Sequence, residues 1–193
     1  MKKRPVHCQA GRGITLVEMM VTLSALALLL AMAVPSYRSS MEGNRRTTYA
    51  NQLLEDMALA RSEAIKRNAR VVVCPSFTGT TCSGSDNWAA GWIVFVDNIP
   101  YNNARDVADP LESVLRVHDA LALPTGWTAK HNVSPFIASF LPSGAIASRP
   151  FSICVMVDAD QATNCDAATI STYAGKYANL VVSQVGRLRI QSQ

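Results

Sequence analysis

Apolar and polar positions fall into three regimes along this chain. From Ile14 to Val34 the apolar run is continuous, 21 residues with one ionisable side chain, Glu18. As a helix rising about 1.5 Å per residue it measures about 31 Å, the thickness of a bilayer's hydrocarbon core, so a membrane anchor is expected. Pro35 closes the run and, lacking a backbone donor, predicts a bend. Gly43–Thr48 is polar and a poor helix former, which predicts a partly unwound joint or the point where the helix leaves the membrane. Then Ala50, Leu53, Leu54, Met57, Ala58, Ala60, Ala64 and Ile65 recur at three-to-four spacing, an amphipathic helix ending near Asn68.

After Arg70 the period becomes strand-like. Segments 71–74, 92–96, 113–117, 136–141, 151–157, 178–183 and 186–190 are short, β-branched or aromatic, and separated by clusters of Gly, Pro, Asn, Asp and Ser. One long helix followed by seven strands predicts an α+β fold with mostly antiparallel pairing. The predicted organisation is 1–13 as a leader, 14–35 as a transmembrane and assembly helix, 36–70 as its amphipathic continuation, and 71–193 as a β-rich globular head. The roughly 155 residues beyond the anchor suffice for one domain.

Charge changes the picture at both ends. The formal net charge is +4, yet four basic residues (Lys2, Lys3, Arg4 and Arg12) precede Gly13 and leave the remainder balanced. Cations before an apolar span predict the head on the outer side of the membrane. At the other end, Lys176–Gln193 carries three basic residues and no acid. Of the five cysteines, Cys8 lies in the leader. Cys74 with Cys82 and Cys154 with Cys165 are local pairs, and in an oxidising compartment each is expected to close a short loop, one of three possible connectivities. Neither spacing suits zinc, and no metal or other cofactor is expected.

Glu18 is anomalous in an ordinary anchor, because an intramembrane carboxylate costs several kcal/mol and signals function. A small residue, Gly13, stands before the apolar run, whereas a secretory signal would place its cleavage site after it. The run Gly13-Ile14-Thr15-Leu16-Val17-Glu18 resembles the prepilin peptidase signal of type IV pilins and pseudopilins, with Ile14 where Phe or Met is commoner. The resemblance implies cleavage after Gly13, methylation of Ile14, and a role for Glu18 in docking to neighbouring pilins. Further blocks are similar to the GspH/FimT group of minor pilins: Leu59–Asn68 leading into Val72-Val73-Cys74-Pro75, Gly91–Asp97, Phe140–Gly144, and Gly186-Arg187-Leu188-Arg189-Ile190. That family implies a long helix packed on a β-rich head, prepilin peptidase and other pilins as partners, and an inner-membrane location, head in the periplasm, before assembly into a pilus or pseudopilus.

An enzyme is not expected. His118 and His131 belong to no nucleophile elbow and read as surface or loop histidines. Asp158, Asp160 and Asp166 lack EF-hand spacing and read as a solvated loop. The C-terminal stretch carries the candidate chemistry. Strand alternation sends Leu188 and Ile190 inward and Arg187 and Arg189 outward, about 6.6 to 6.8 Å apart, a spacing at which two guanidinium groups reach different phosphates of one DNA strand. Lys176 extends the basic patch, Tyr173 and Tyr177 offer stacking surfaces, and Gly186 permits a turn or a close backbone approach. The competing reading is an edge strand whose charges deter aggregation. In the FimT branch a terminal G-R-x-R is associated with DNA capture in natural transformation, and Gly186, Arg187 and Arg189 match it. The expected function is a minor pilin that binds DNA through this tail; the alternative is a type II secretion pseudopilin with no DNA-binding role.

Overall fold

The computed structural model describes residues 13–157 and 177–192, with the side chains of 32–36, 38, 39, 157 and 192 outside that description. Helix α1 spans Leu16–Arg67. Its start is capped: the Thr15 hydroxyl accepts the Glu18 N–H at 3.2 Å, and the Thr15 carbonyl accepts from Met19. Thr15-Leu16-Val17-Glu18 thus has the capping-box sequence, with the acid at the third helical position, where negative charge complements the helix dipole.

The chain divides into two compact units, Met1–Met41 and Glu42–Gln193. In the first, apolar side chains such as Leu16, Leu23 and Leu28 are exposed all round the helix. Among the described residues no helix is long and apolar enough to cross a membrane; the expected 14–34 segment runs into positions 32–34, whose side chains fall outside the description.

In the second unit, Gly43–Thr48 is helical rather than unwound. Thr47 and Thr48 donate their hydroxyls to the carbonyls of Gly43 and Asn44, four residues back, which keeps these polar groups inside the ladder. Arg46 is buried with its guanidinium 5.8 Å from the Trp127 ring centroid. Asn68, at φ +50°, ends the helix; its N–H reaches Ile65 O and that of Ala69 reaches Ala64 O, the paired bonds of a Schellman stop.

Among the described residues eight strands follow: β1 Arg70–Pro75, β2 Trp92–Asp97, β3 Val114–His118, β4 Trp127–His131, β5 Ala138–Phe140, β6 Phe151–Val157, β7 Tyr177–Val182 and β8 Leu188–Ser192. They form two antiparallel sheets, β3-β2-β1-β5 and β4-β6-β7-β8. The expected α+β class and antiparallel pairing hold; β4 is the strand that the hydrophobic pattern did not predict.

Ala50, Leu53, Met57, Ala60 and Ala64 of α1 are fully buried at alternating spacings of three and four. They share one core with Val71, Val73 and Val94 of the first sheet and Ile153, Val155 and Leu180 of the second. Each large side chain so buried stabilises by about 1.5–3 kcal/mol relative to exposure. Leu54, Ala58 and Ile65 do not join this stripe as expected: Leu54 is half-buried, and Ala58 and Ile65 are exposed. Asp56 does lie on the core side. Its carboxylate accepts from Trp92 Nε1 at 2.8 Å and from Arg116 at 2.7 Å, and Arg116 also bonds Glu55 at 2.7 Å. These bonds pin the helix to β2 and β3.

Candidate functional site

The terminal hairpin is built by a short loop between β7 and β8. The N–H of Ser183 bonds Arg187 O, and the N–H of Gly186 bonds Ser183 O at 2.8 Å. Gly186 has φ +71° and is buried, the glycine position of a tight hairpin closed by a bulge. A Cβ placed there would lie 2.0 Å from Gly144 O, so glycine is required both by conformation and by contact. Arg61 of α1 joins the two turns: its Nε donates to Gly144 O at 2.9 Å and its terminal nitrogen to Val185 O at 3.4 Å. Gln184 and Ile146 add a reciprocal pair, Ile146 N to Gln184 O and Gln184 Nε2 to Ile146 O, each 3.1 Å.

On this fixed hairpin Arg187 and Arg189 are exposed, whereas Leu188 and Ile190 pack against the core, the expected alternation. Several other head cations are engaged. Arg67 and Lys66 pair with Glu63, Arg116 with Glu55 and Asp56, Lys130 with Asp86, and Arg70 lies 3.8 Å from the buried Asp97. Neither Arg187 nor Arg189 is in an ion pair among the described residues. Val181, Ser183 and Val185 complete a groove around these two arginines. A second groove, about 490 Å³, runs beside it between α1 and β8, lined by Leu54, Ala58, Arg61, Ile65, Arg187 and Leu188.

Three sequence-predicted members of the site stand differently. Tyr177 is no stacking platform: it is buried with Cys154 and Met156 on the face of the second sheet away from the helix. Lys176 and Tyr173 lie outside the described residues. A cation that sequence reasoning missed is Arg149, exposed and two residues before Phe151. Phe151 pairs with Val182, which pairs with Leu188, so Arg149 and Arg187 enter the same end of the sheet about 9.5 Å apart in strand spacing. No linear motif links them; only the sheet register does.

Cys74 and Cys82 form a disulfide. Cys154 is also disulfide-bonded, and its expected partner, Cys165, lies outside the described residues, as do Asp158, Asp160 and Asp166. Gly13 and Ile14 are exposed ahead of the helix cap. His131 is a correction: it is buried on β4 between the rings of Trp88 and Phe151, with centroids at 5.9 and 4.4 Å. Its Nδ1 accepts from Val133 N–H, and burial pushes its pKa down to about 3, so the ring stays neutral. His118 is stacked on Trp92 at 3.9 Å. Neither histidine bonds a carboxylate or hydroxyl of the described residues. Among those residues, no group of three or more His, Cys, Asp or Glu could hold a metal.

Known proteins resemble this arrangement. The family described as "Type II transport protein GspH" matches residues 49–186, and the "Prokaryotic N-terminal methylation motif" matches residues 9–34. The GspH match stops one residue before Arg187. No curated protein sequence matches the chain. Among solved structures it resembles the type IV minor pilin FimU of Pseudomonas aeruginosa, with TM-score 0.50 and 17% identity over 77% of this chain and 89% of that one. The minor pseudopilin EpsH from the type 2 secretion system of Vibrio cholerae aligns at TM-score 0.47 and 11% identity, covering 77% and 97%. The FimU likeness is one of fold: a long N-terminal helix packed on antiparallel sheets. A methylation motif, a capped apolar helix start and a family match over most of the chain converge, and the chain belongs to the GspH family, as a type IV minor pilin or pseudopilin of the GspH/FimT type.

Proposed function

We propose that this chain is a minor subunit of a type IV pilus that binds DNA through Arg187 and Arg189, with Lys176 and Gly186 as supporting members of the site. The carrying observation is that both arginines are exposed, in no ion pair among the described residues, and mounted on a hairpin held by Arg61 and Gly186. Guanidinium groups so presented suit phosphate oxygens. Contact is to the backbone, hence indifferent to base sequence, and log K falls against log salt by about 0.9 per neutralised phosphate on duplex DNA.

In this reading prepilin peptidase removes 1–13, Ile14 becomes the methylated terminus, and Ile14–Val34 holds the chain in the inner membrane with its head in the periplasm. The Cys74–Cys82 disulfide suits that oxidising compartment. On assembly the apolar helix leaves lipid for neighbouring pilins, and the Ile14 amine neutralises Glu18. The role is structural, not enzymatic.

The test is duplex DNA binding by the full mature chain in detergent, against Arg187→Ala/Arg189→Ala. The expected result is weaker binding with a salt slope shallower by about 1.8; equal binding by both proteins sinks the site assignment. The alternative, a type II secretion pseudopilin without DNA binding, is favoured by the family description itself. Deleting the chain and finding lost protein secretion with intact pili would decide for it.

A further inference from the structure

Among the described residues of the second unit, eight large hydrophobic side chains are exposed, and their distribution is uneven. Ile99, Tyr101, Val107 and Leu111 all sit on the β2–β3 loop. Two more adjoin it. Phe77 lies in the disulfide-closed loop that Arg105 ties to the β2–β3 loop by donating to Thr80 O at 2.9 Å. Val117 of β3 faces the same loop, its Cγ1 3.1 Å from a Cβ built at Gly79. The last two, Ile65 and Val185, line the two arginine grooves.

The loop is held rigid by polar bonds beneath it. Buried Glu112 accepts the N–H groups of Asn98 and Asp106. Asp109 accepts from Asn98 Nδ2 at 3.0 Å and Leu111 N at 2.8 Å. Arg105 donates to Glu112 O, and the Arg70 guanidinium stacks 4.5 Å from the Tyr101 centroid. A loop that keeps its buried side polar and bonded while displaying its apolar residues is preorganised for contact, and clustered exposed apolar residues mark protein interaction sites. Its net charge is acidic: Asp106, Asp109 and Glu112 outnumber Arg105, and neither Asp106 nor Asp109 pairs with a cation among the described residues.

The apolar groove beside β8 has the opposite rim, Arg61 and Arg187 around Leu54, Ala58, Ile65 and Leu188. We infer that the β2–β3 loop of one copy docks into the α1–β8 groove of a second copy of this chain. Both surfaces are apolar at the centre, one is rimmed by carboxylates and the other by guanidinium groups, and they are different patches of one head. Such a contact is heterologous, so it repeats head to tail, closing into a ring or extending as a filament according to its rotation. It does not rest on DNA binding, although it covers Arg187: copies inside a stack would have that arginine masked, and the terminal copy would present it.

The experiment measures self-association of the full mature chain in detergent micelles by sedimentation, with charge reversals on the two rims. Asp106→Arg/Asp109→Arg and, separately, Arg187→Glu are each expected to weaken association about tenfold or more, because like charges then face each other. Combining all three restores the opposite-sign pairing and the wild-type constant. Thermal melts show whether each variant stays folded, and Leu111→Ser, which removes apolar contact without charge, weakens association where a reversal disturbs the loop. A wild-type chain that stays monomeric overturns the inference, as does a combined variant no tighter than the single reversals. Loss of association in the Asp106/Asp109 variant with unchanged DNA binding separates this contact from the nucleic-acid reading. A photo-crosslinker at Val107 captures the Leu54–Ile65 segment of another copy if the inference holds; capture of a different pilin alone refutes the second copy as occupant.

Discussion

Two segments of α1 use similar residues to opposite ends. Around Leu16–Leu30 the apolar side chains are exposed on every face; from Ala50 to Ala64 a fully buried stripe runs along one side, with Leu54 and Ala58 off it. A helix apolar all round has no single preferred partner surface and suits any apolar surroundings, lipid or other helices. A striped helix is committed to one core. The first segment is therefore suited to changing its environment, and the second to fixing a fold.

The comparison breaks most severely at Asp56. Asp56→Ala strands the buried Trp92 Nε1 and leaves Arg116 with Glu55 alone, and the head is expected to lose about 3–5 kcal/mol, read as a fall in chemical-denaturation midpoint. Next comes Leu53→Ala, expected to cost about 2–5 kcal/mol through lost burial and a cavity. The matched Leu26→Ala should leave the head's unfolding within about 0.5 kcal/mol of wild type. A comparable loss at both positions would erase the distinction between the two halves.

A pH scan sharpens the contrast further. His131 is neutral in the folded head down to about pH 3 but takes a proton near pH 6.5 once unfolded. The unfolded state thus binds more protons, and stability falls as pH drops through the window from about 6.5 to 3. The slope is about 1.4 kcal/mol per pH unit, or about 2 kcal/mol lost by pH 5. Asp97 acts in the other direction: burial raises its pKa, so its protonation on acidification relieves a penalty present at neutral pH. Comparing His131→Phe with wild type isolates the histidine slope, which should vanish in the variant. The smallest expected change is at the helix start. Thr15→Ala removes the cap to Glu18 N–H and should cost about 1 kcal/mol of local helix stability, visible as faster amide exchange at Glu18 with the head's melting point unchanged.

The sequence made local features legible. The helix stop at Asn68, the strand alternation that turns Arg187 and Arg189 outward, and the Cys74–Cys82 staple all depend on residues near one another in the chain. Strand β4 escaped because Trp127, Ala129 and His131 point inward without a β-branched run between them, so the period was present but the composition was not. The role of Asp56 depends on partners 36 and 60 residues away, which no local pattern shows. Arg149 reaches the same end of the sheet as Arg187 only through pairing across β6, β7 and β8. Leu54, Ala58 and Ile65 had the right spacing for the core and the wrong angle by one position, which left an open groove instead of packed interior.

The junction of Gly186, Gly144 and Arg61 also determines where tension goes. A pull on the arginine-bearing hairpin need not unzip β8 from β7 strand by strand. Arg61 grips Val185 O and Gly144 O directly, and Gln184 and Ile146 hold each other beside it, so part of the load passes from the tail into the helix and the neighbouring turn. Gly186, without a Cβ, lets the turns close to that distance. The joint behaves as a tether point, sharing the force between one guanidinium, a reciprocal pair of bonds and the strand ladder.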